Sequence, residues 1–195
     1  MTLLTLPSSF RPASFSMQLE TVQRAFASPF GGSEQVVDLL NDRWTISLTL
    51  PVGTQQNAAR NEAFLNALRG QTNTVSLYHW ARRQPLGTMR GSPVAGAASV
   101  GADSILIGTP AGSTLLAGDM IGVSGMLLMV RDDCVADGVG LVVPLVNRLR
   151  RPLVGGESVT WDRPTVPFRK VVKASFQYFP GYAEGVSLDF VEAVG

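Results

Sequence analysis

The chain has one cysteine and one histidine in 195 residues, two lysines among sixteen cations, almost no net charge and no long apolar run. Each shortage excludes something. Cys134 alone forms no internal disulfide. With His79 the single histidine, a His-pair metal site is excluded, and any Ser/His/Asp triad would have to use it. His79 lies in the alternating aromatic stretch "NTVSLYHW", with no nucleophile elbow nearby, so a packed role outweighs a catalytic one. A net charge of +1 provides no global field to gather nucleic acid or an anionic membrane, so partners are expected to be recognised by shape. There is no charged-then-apolar leader and no apolar run of about 18 residues, and the expectation is a soluble protein made in the cytoplasm.

What is present is apolar and turn-rich. An apolar fraction of 45% in a chain of this length buries a real core, in one large domain or two small ones. Fourteen of the sixteen cations are Arg, a bias that fits protein interfaces and equally a GC-rich genome. The first sixteen residues, with two prolines and four serines, read as an extended arm able to grip a neighbour. "MQLETVQRAFASPFGG" is strand-like up to Pro29 and Gly31-Gly32, and "SEQVVDLL" reads as a return strand. In "RWTISLTL", Trp44, Ile46, Leu48 and Leu50 alternate with Thr45, Ser47 and Thr49, the pattern of a half-buried strand.

Thr54 caps a predicted helix from Gln55 to Arg69, closed by Gly70, whose apolar stripe carries Phe64, Leu65 and Leu68 as core residues. "NTVSLYHW" then puts Val75, Leu77 and His79 on one face and Ser76, Tyr78 and Trp80 on the other. Periodicity disappears in "RRQPLGTMRGSPVAGAASVGADS", which reads as a crossing between modules. Beyond it "SILIG", "DMIGV", "MLLMVRDD", "GLVVPLV" and "SVTW" are short strands of a small barrel, with a hairpin at Ser124-Gly125. Two longer strands close the chain: Val172, Ala174, Phe176 and Tyr178 alternate in one, Val186, Leu188 and Phe190 in the other. The expected fold is mainly β. Residues 1–91 and 165–195 form an α+β core sheet with one short helix, and residues 92–164 form an inserted small β-barrel.

Candidate chemistry is sparse. Asp132, Asp133 and Asp137 around Cys134 could hold a cation, but their spacing matches no EF-hand loop and a turn explains the same residues. "NRLRRP", with Arg148, Arg150 and Arg151, is the densest basic cluster. The surrounding segment carries seven acids against five bases, so a salt bridge to a neighbouring subunit is preferred over nucleic acid. Arg82 and Arg83 beside Trp80 have the composition of an interface hot spot. No catalytic residue, metal or cofactor is expected.

The layout carries a resemblance. A strand "RW", a helix ending "FLNALRG", an aromatic strand, "LLAGDMIGVSGMLLMVRD", "LRRPLVGGESVTWDRP" and a closing hairpin together resemble tail-tip proteins of tailed bacteriophages, the distal-tail or minor-tail class. The resemblance runs from about Met17 to the end of the chain. It implies a non-enzymatic structural subunit of the virion tail, assembled in the host cytoplasm as a ring of its own copies, with a hexamer expected. Implied partners are the tail tube, the tape-measure protein and other tail-tip proteins. No membrane and no nucleic-acid sequence recognition is implied. The alternative is a carbohydrate- or receptor-binding module using Trp80, Tyr78 and Trp161.

Overall fold

The computed structural model describes residues 2–27, 31–39, 41–171 and 174–194. In chain order the elements begin with β1 (Leu3–Leu4), β2 (Ser14–Glu20), β3 (Gln23–Ala27), β4 (Glu34–Asp38), β5 (Arg43–Leu50), α1 (Gln55–Ala67) and β6 (Thr74–Leu77). The middle carries β7 (Val94–Ala95), β8 (Ser104–Gly108), β9 (Thr114–Leu115), β10 (Met120–Val123), β11 (Met126–Met129), β12 (Cys134–Val135), β13 (Leu141–Pro144) and β14 (Glu157–Thr160). β15 (Val166–Lys170), β16 (Tyr178–Phe179), β17 (Tyr182–Ala183) and β18 (Val186–Glu192) complete it. The protein is mainly β, as the alternation of its sequence predicts. It divides into two compact units, Met1–Gln18 with Trp44–Ala81 and Thr165–Gly195, and Leu19–Arg43 with Arg82–Pro164.

The first unit is built on a six-stranded sheet in the order β1-β6-β15-β18-β5-β2. Alternation decides its faces: Trp44, Ile46, Leu48 and Leu50 of β5 are buried, as are Val186, Leu188 and Phe190 of β18. On the opposite face Ser47 Oγ donates to Asp189, and the Thr49 and Ser187 hydroxyls lie 3.2 Å apart, so polar residues pair across the same two strands. The predicted N-terminal arm is instead part of this sheet. Leu3 and Leu4 pair in parallel with Thr74 and Val75, and Phe10 is buried edge-to-face with Phe64, their ring centres 5.8 Å apart.

The closing strand also differs from expectation. Its alternation begins earlier, with Val166, Phe168 and Lys170 buried, and the strand stops at Lys170. Ala174 and Phe176 lie outside any strand, Tyr178 starts a separate short hairpin, and Val172 and Lys173 lie outside the described residues. Pro29 and Leu40, included in the predicted first hairpin, do so too.

Thr54 caps α1 as predicted, its hydroxyl accepting from the Asn57 amide. The helix ends at Ala67 rather than Arg69, because Arg69 (φ 48°) already turns left-handed ahead of Gly70 (φ 66°). Leu65 and Leu68 are fully buried, whereas Phe64 is half-buried against Phe10. The predicted core stripe is therefore unequal. Leu68→Ala is expected to cost about 2–5 kcal/mol and Phe64→Ala about 1–2 kcal/mol, read as the difference in urea midpoint. Equal losses would show that Phe64 is as deeply packed as Leu68.

The second unit carries a sheet in the order β11-β10-β14-β7-β8-β13. Its two edges meet at a bridge between Val130 and Leu145. The Arg131 amide donates to the Pro144 carbonyl and the Val146 amide to the Met129 carbonyl, both at 2.9 Å, so the sheet curls back on itself. Leu115, Ile121, Leu128, Leu141 and Val143 fill the interior. Ser124 (φ 48°) and Gly125 (φ 74°) form the two-residue turn between β10 and β11, where both central residues need positive φ.

Two boundaries differ from the sequence reading. The Gly/Ala-rich stretch read as a crossing contains β7, which pairs with both β14 and β8, and the second unit begins at Arg82 rather than residue 92. Residues 19–43 also belong to this unit, where Arg150 Nη1 donates to the Asp42 carbonyl at 2.6 Å. Within that segment β3 and β4 form a two-stranded hairpin that, among the described residues, pairs with no other strand, and all ten of their residues are exposed.

Candidate interface surfaces

Arg82 and Arg83 are exposed and tied to turns of the second unit. Arg82 Nη1 donates to the Gly118 carbonyl at 2.8 Å, and the Arg83 carbonyl accepts from the Arg163 amide at 2.7 Å. Trp80, their sequence neighbour, belongs to the first unit. It stacks on Tyr78 with ring centres 5.0 Å apart, and Phe15 meets both Trp80 (5.3 Å) and His79 (4.9 Å). All four rings are half-buried, so His79 is a packed aromatic of the sheet's end.

Of the basic cluster, Arg148 and Arg151 are exposed and Arg150 is half-buried. The Asp42 carboxyl beside it is pushed up from the ordinary aspartate range, chiefly by burial and then by Asp38, with Arg150 and Arg148 opposing. Arg148 and Arg150 thus face an acid of their own unit. Trp161, the third candidate aromatic, donates its ring N–H to the Gly91 carbonyl at 2.9 Å and carries the Arg90 guanidinium 5.0 Å from its ring centre. Arg90 in turn donates to the carbonyls of Pro85, Gly87 and Met89. The ring's polar edge and one face are committed to folding a loop.

The acids near Cys134 serve backbone. Asp133 accepts from the Ala117 amide, and Asp137 accepts from the amides of Val139 and Gly140, which hold its carboxyl below the usual range. Burial pushes the Cys134 thiol up, away from thiolate chemistry. Among the described residues no group of three or more His, Cys, Asp or Glu could hold a metal ion. Lys170 is buried, with its ammonium on the Leu65 carbonyl at the end of α1, and burial lowers its pKa.

Two surfaces went unnoticed in the sequence. The hairpin β16–β17 exposes Tyr178, Phe179 and Tyr182, with Phe179 and Tyr182 stacked at 5.1 Å. Gln55 Nε2 donates to the Phe179 carbonyl and the Tyr178 hydroxyl to Glu62, which pin this hairpin to α1. The run "YFPGY" was a signal for it. Beside the hairpin lies a groove of about 400 Å³ whose lining includes Arg11, Pro51, Val52, Arg60, Phe176 and Glu184. Among the described residues neither the Arg11 nor the Arg60 guanidinium has a hydrogen-bond or ion-pair partner. No sequence rule would bring these six positions together, because they come from widely separated stretches of the chain.

No helix among the described residues is long and apolar enough to cross a membrane. In comparisons with known protein families and with curated proteins, the chain matches none.

Proposed function

We propose that the chain is a structural subunit of a bacteriophage tail tip or baseplate, forming a ring of its own copies around the tail channel and joining the tail tube to tip proteins. The observation that carries the assembly part of this reading is the hairpin β3–β4. A two-stranded hairpin without a covered face is marginal in water, yet this one exposes Phe26 (56%) and Val36 (57%) along with every other residue of its strands. A neighbouring subunit would supply the missing layer. The tail-tip assignment rests on the resemblance in the order of elements, and localisation to the virion tail follows from it.

The carbohydrate- or receptor-binding reading has less support. Trp80 and Tyr78 cover one another, and Trp161 is engaged by Gly91 and Arg90. Negative-stain electron microscopy and native mass spectrometry of the purified protein should show closed rings, six copies being the expectation from the resemblance. Monomers alone, at all concentrations and in the presence of tail-tube protein, would overturn the proposal.

A further inference from the structure

Asp42 is a buried acid at the root of the exposed hairpin. The hairpin closes at its base, where the Leu39 amide donates to the Val22 carbonyl at 3.0 Å. Asp42 grips the same residue: its carboxylate accepts from the Val22 amide, while its carbonyl accepts from Arg150 Nη1 at 2.6 Å. It therefore joins the base of the hairpin to the segment after β13. The grip suits a charged carboxylate poorly, because Asp42 is only 8% exposed and its Oδ1 has no hydrogen-bond partner among the described residues. A buried anion with one oxygen unsatisfied is costly, and a neutral acid in the same place is much less so. The charged groups around it are Asp38, the last residue of β4, and Arg148 and Arg150. Burial and then Asp38 push the carboxyl above the ordinary aspartate range, against the opposing pull of Arg150, the Val22 amide and Arg148.

We propose that Asp42 is a proton-operated latch at the root of the β3–β4 arm, closed when its carboxyl is neutral and loosened when it ionises. Opening the root returns the side chain to water, where it titrates as an ordinary aspartate. Because the closed root holds the proton more tightly, the extra closure is complete below the ordinary aspartate range and is lost as pH rises through the raised value. Acid stiffens the base of the arm, and neutral pH loosens it. The inference concerns a single copy and holds whether or not the chain forms rings.

The test is amide hydrogen exchange of the full chain from about pH 4 to about pH 8, each rate being compared with the intrinsic rate at that pH. The Leu39 amide is expected to lose protection about threefold or more over that range. Asp42→Asn keeps the shape and stays neutral, so its Leu39 protection should be flat with pH. Val130, whose amide donates to the Asp119 carbonyl at 2.9 Å, reports that the variant is folded. Asp38→Asn removes a repelling charge and should shrink the loss seen in the wild type. This second variant decides the matter if Asp42→Asn does not fold, an unchanged loss then overturning the latch. Wild-type Leu39 protection that stays flat would mean that Asp42 ionises without loosening the root. Protection that rises with pH would mean that attraction to Arg148 and Arg150 prevails. Either result overturns the proposal, as does a loss that persists undiminished in folded Asp42→Asn, since another group must then titrate.

Discussion

Asp119→Ala is expected to destabilise the second unit by about 3–5 kcal/mol, enough to unfold much of it under conditions where the wild-type chain is intact. Asp119 is 2% exposed, and its carboxylate accepts three backbone amides: Leu86 at 2.7 Å, Gly87 at 3.1 Å and Leu116 at 2.8 Å. Two of these donors lie in the Arg82–Arg90 approach and one in the turn before β10, so one side chain ties two remote segments. Alanine would leave all three donors without their acceptor, and an orphaned buried donor costs about 1–3 kcal/mol.

Water cannot fully replace the carboxylate, because the chain is too close here. A methyl group added at Gly87 would stand 2.2 Å from the Thr114 carbonyl oxygen, so these backbones already touch. Asp119→Asn should do little better, since turning one oxygen into an NH₂ sets donor against donor. Urea denaturation followed by the fluorescence of Trp161 would check this. A loss under about 1 kcal/mol for Asp119→Ala would show that the two segments are held by something else.

The Asp119 staple shows why part of this fold was legible in the sequence and part was not. Period-two alternation is a local property, so β5, β8 and β18 could be placed from their own residues, as could the Ser124-Gly125 hairpin from its turn chemistry. Asp119 was also visible, but only as part of an Ala117-Gly118-Asp119 turn. Its bonds to Leu86 and Gly87 span more than thirty positions, and nothing in either segment announces the other. β7 was missed because two residues cannot show a period, and alanine and glycine around it fit a loop equally well. Phe10 was missed for a related reason. It sits between two prolines, where only its burial against Phe64, over fifty positions away, reveals a core residue.

The candidate surfaces follow the same division. Arg82, Arg83 and the Arg148–Arg151 cluster drew attention because like residues adjoin in sequence, yet the structure gives Arg82 and Arg150 bonds to carbonyls of their own unit. Arg11 and Arg60 are isolated in sequence and come together on one groove only after folding. Density of charge along a chain is a poor guide to which charges lack partners. The exposure of β3 and β4 was equally hidden, because "QRAFA" and "EQVVD" have the composition of ordinary half-buried strands.

Replacing Arg82–Pro164 with a short Gly/Ser turn is expected to leave the first unit folded. The excised segment joins β6 to β15, and those two strands are antiparallel neighbours: Leu77 pairs with Val166, Ser76 with Pro167 and Val75 with Phe168. The ends left by the excision therefore lie within about 5 Å at the paired positions, a gap that a hairpin loop of a few residues spans. Every strand of the sheet from β1 to β2 remains, together with α1 and the buried Trp44, Phe168 and Phe190. Shortening the connection also lowers the entropy lost in bringing β6 and β15 together, though only slowly with length. The shortened chain should unfold cooperatively in urea, and hydrogen exchange should protect the amides of Leu48, Leu77, Phe168 and Leu188. A chain that shows no cooperative transition and exchanges those amides freely would mean that the sheet depends on the excised residues, and that the two units fold only as one interleaved β-domain.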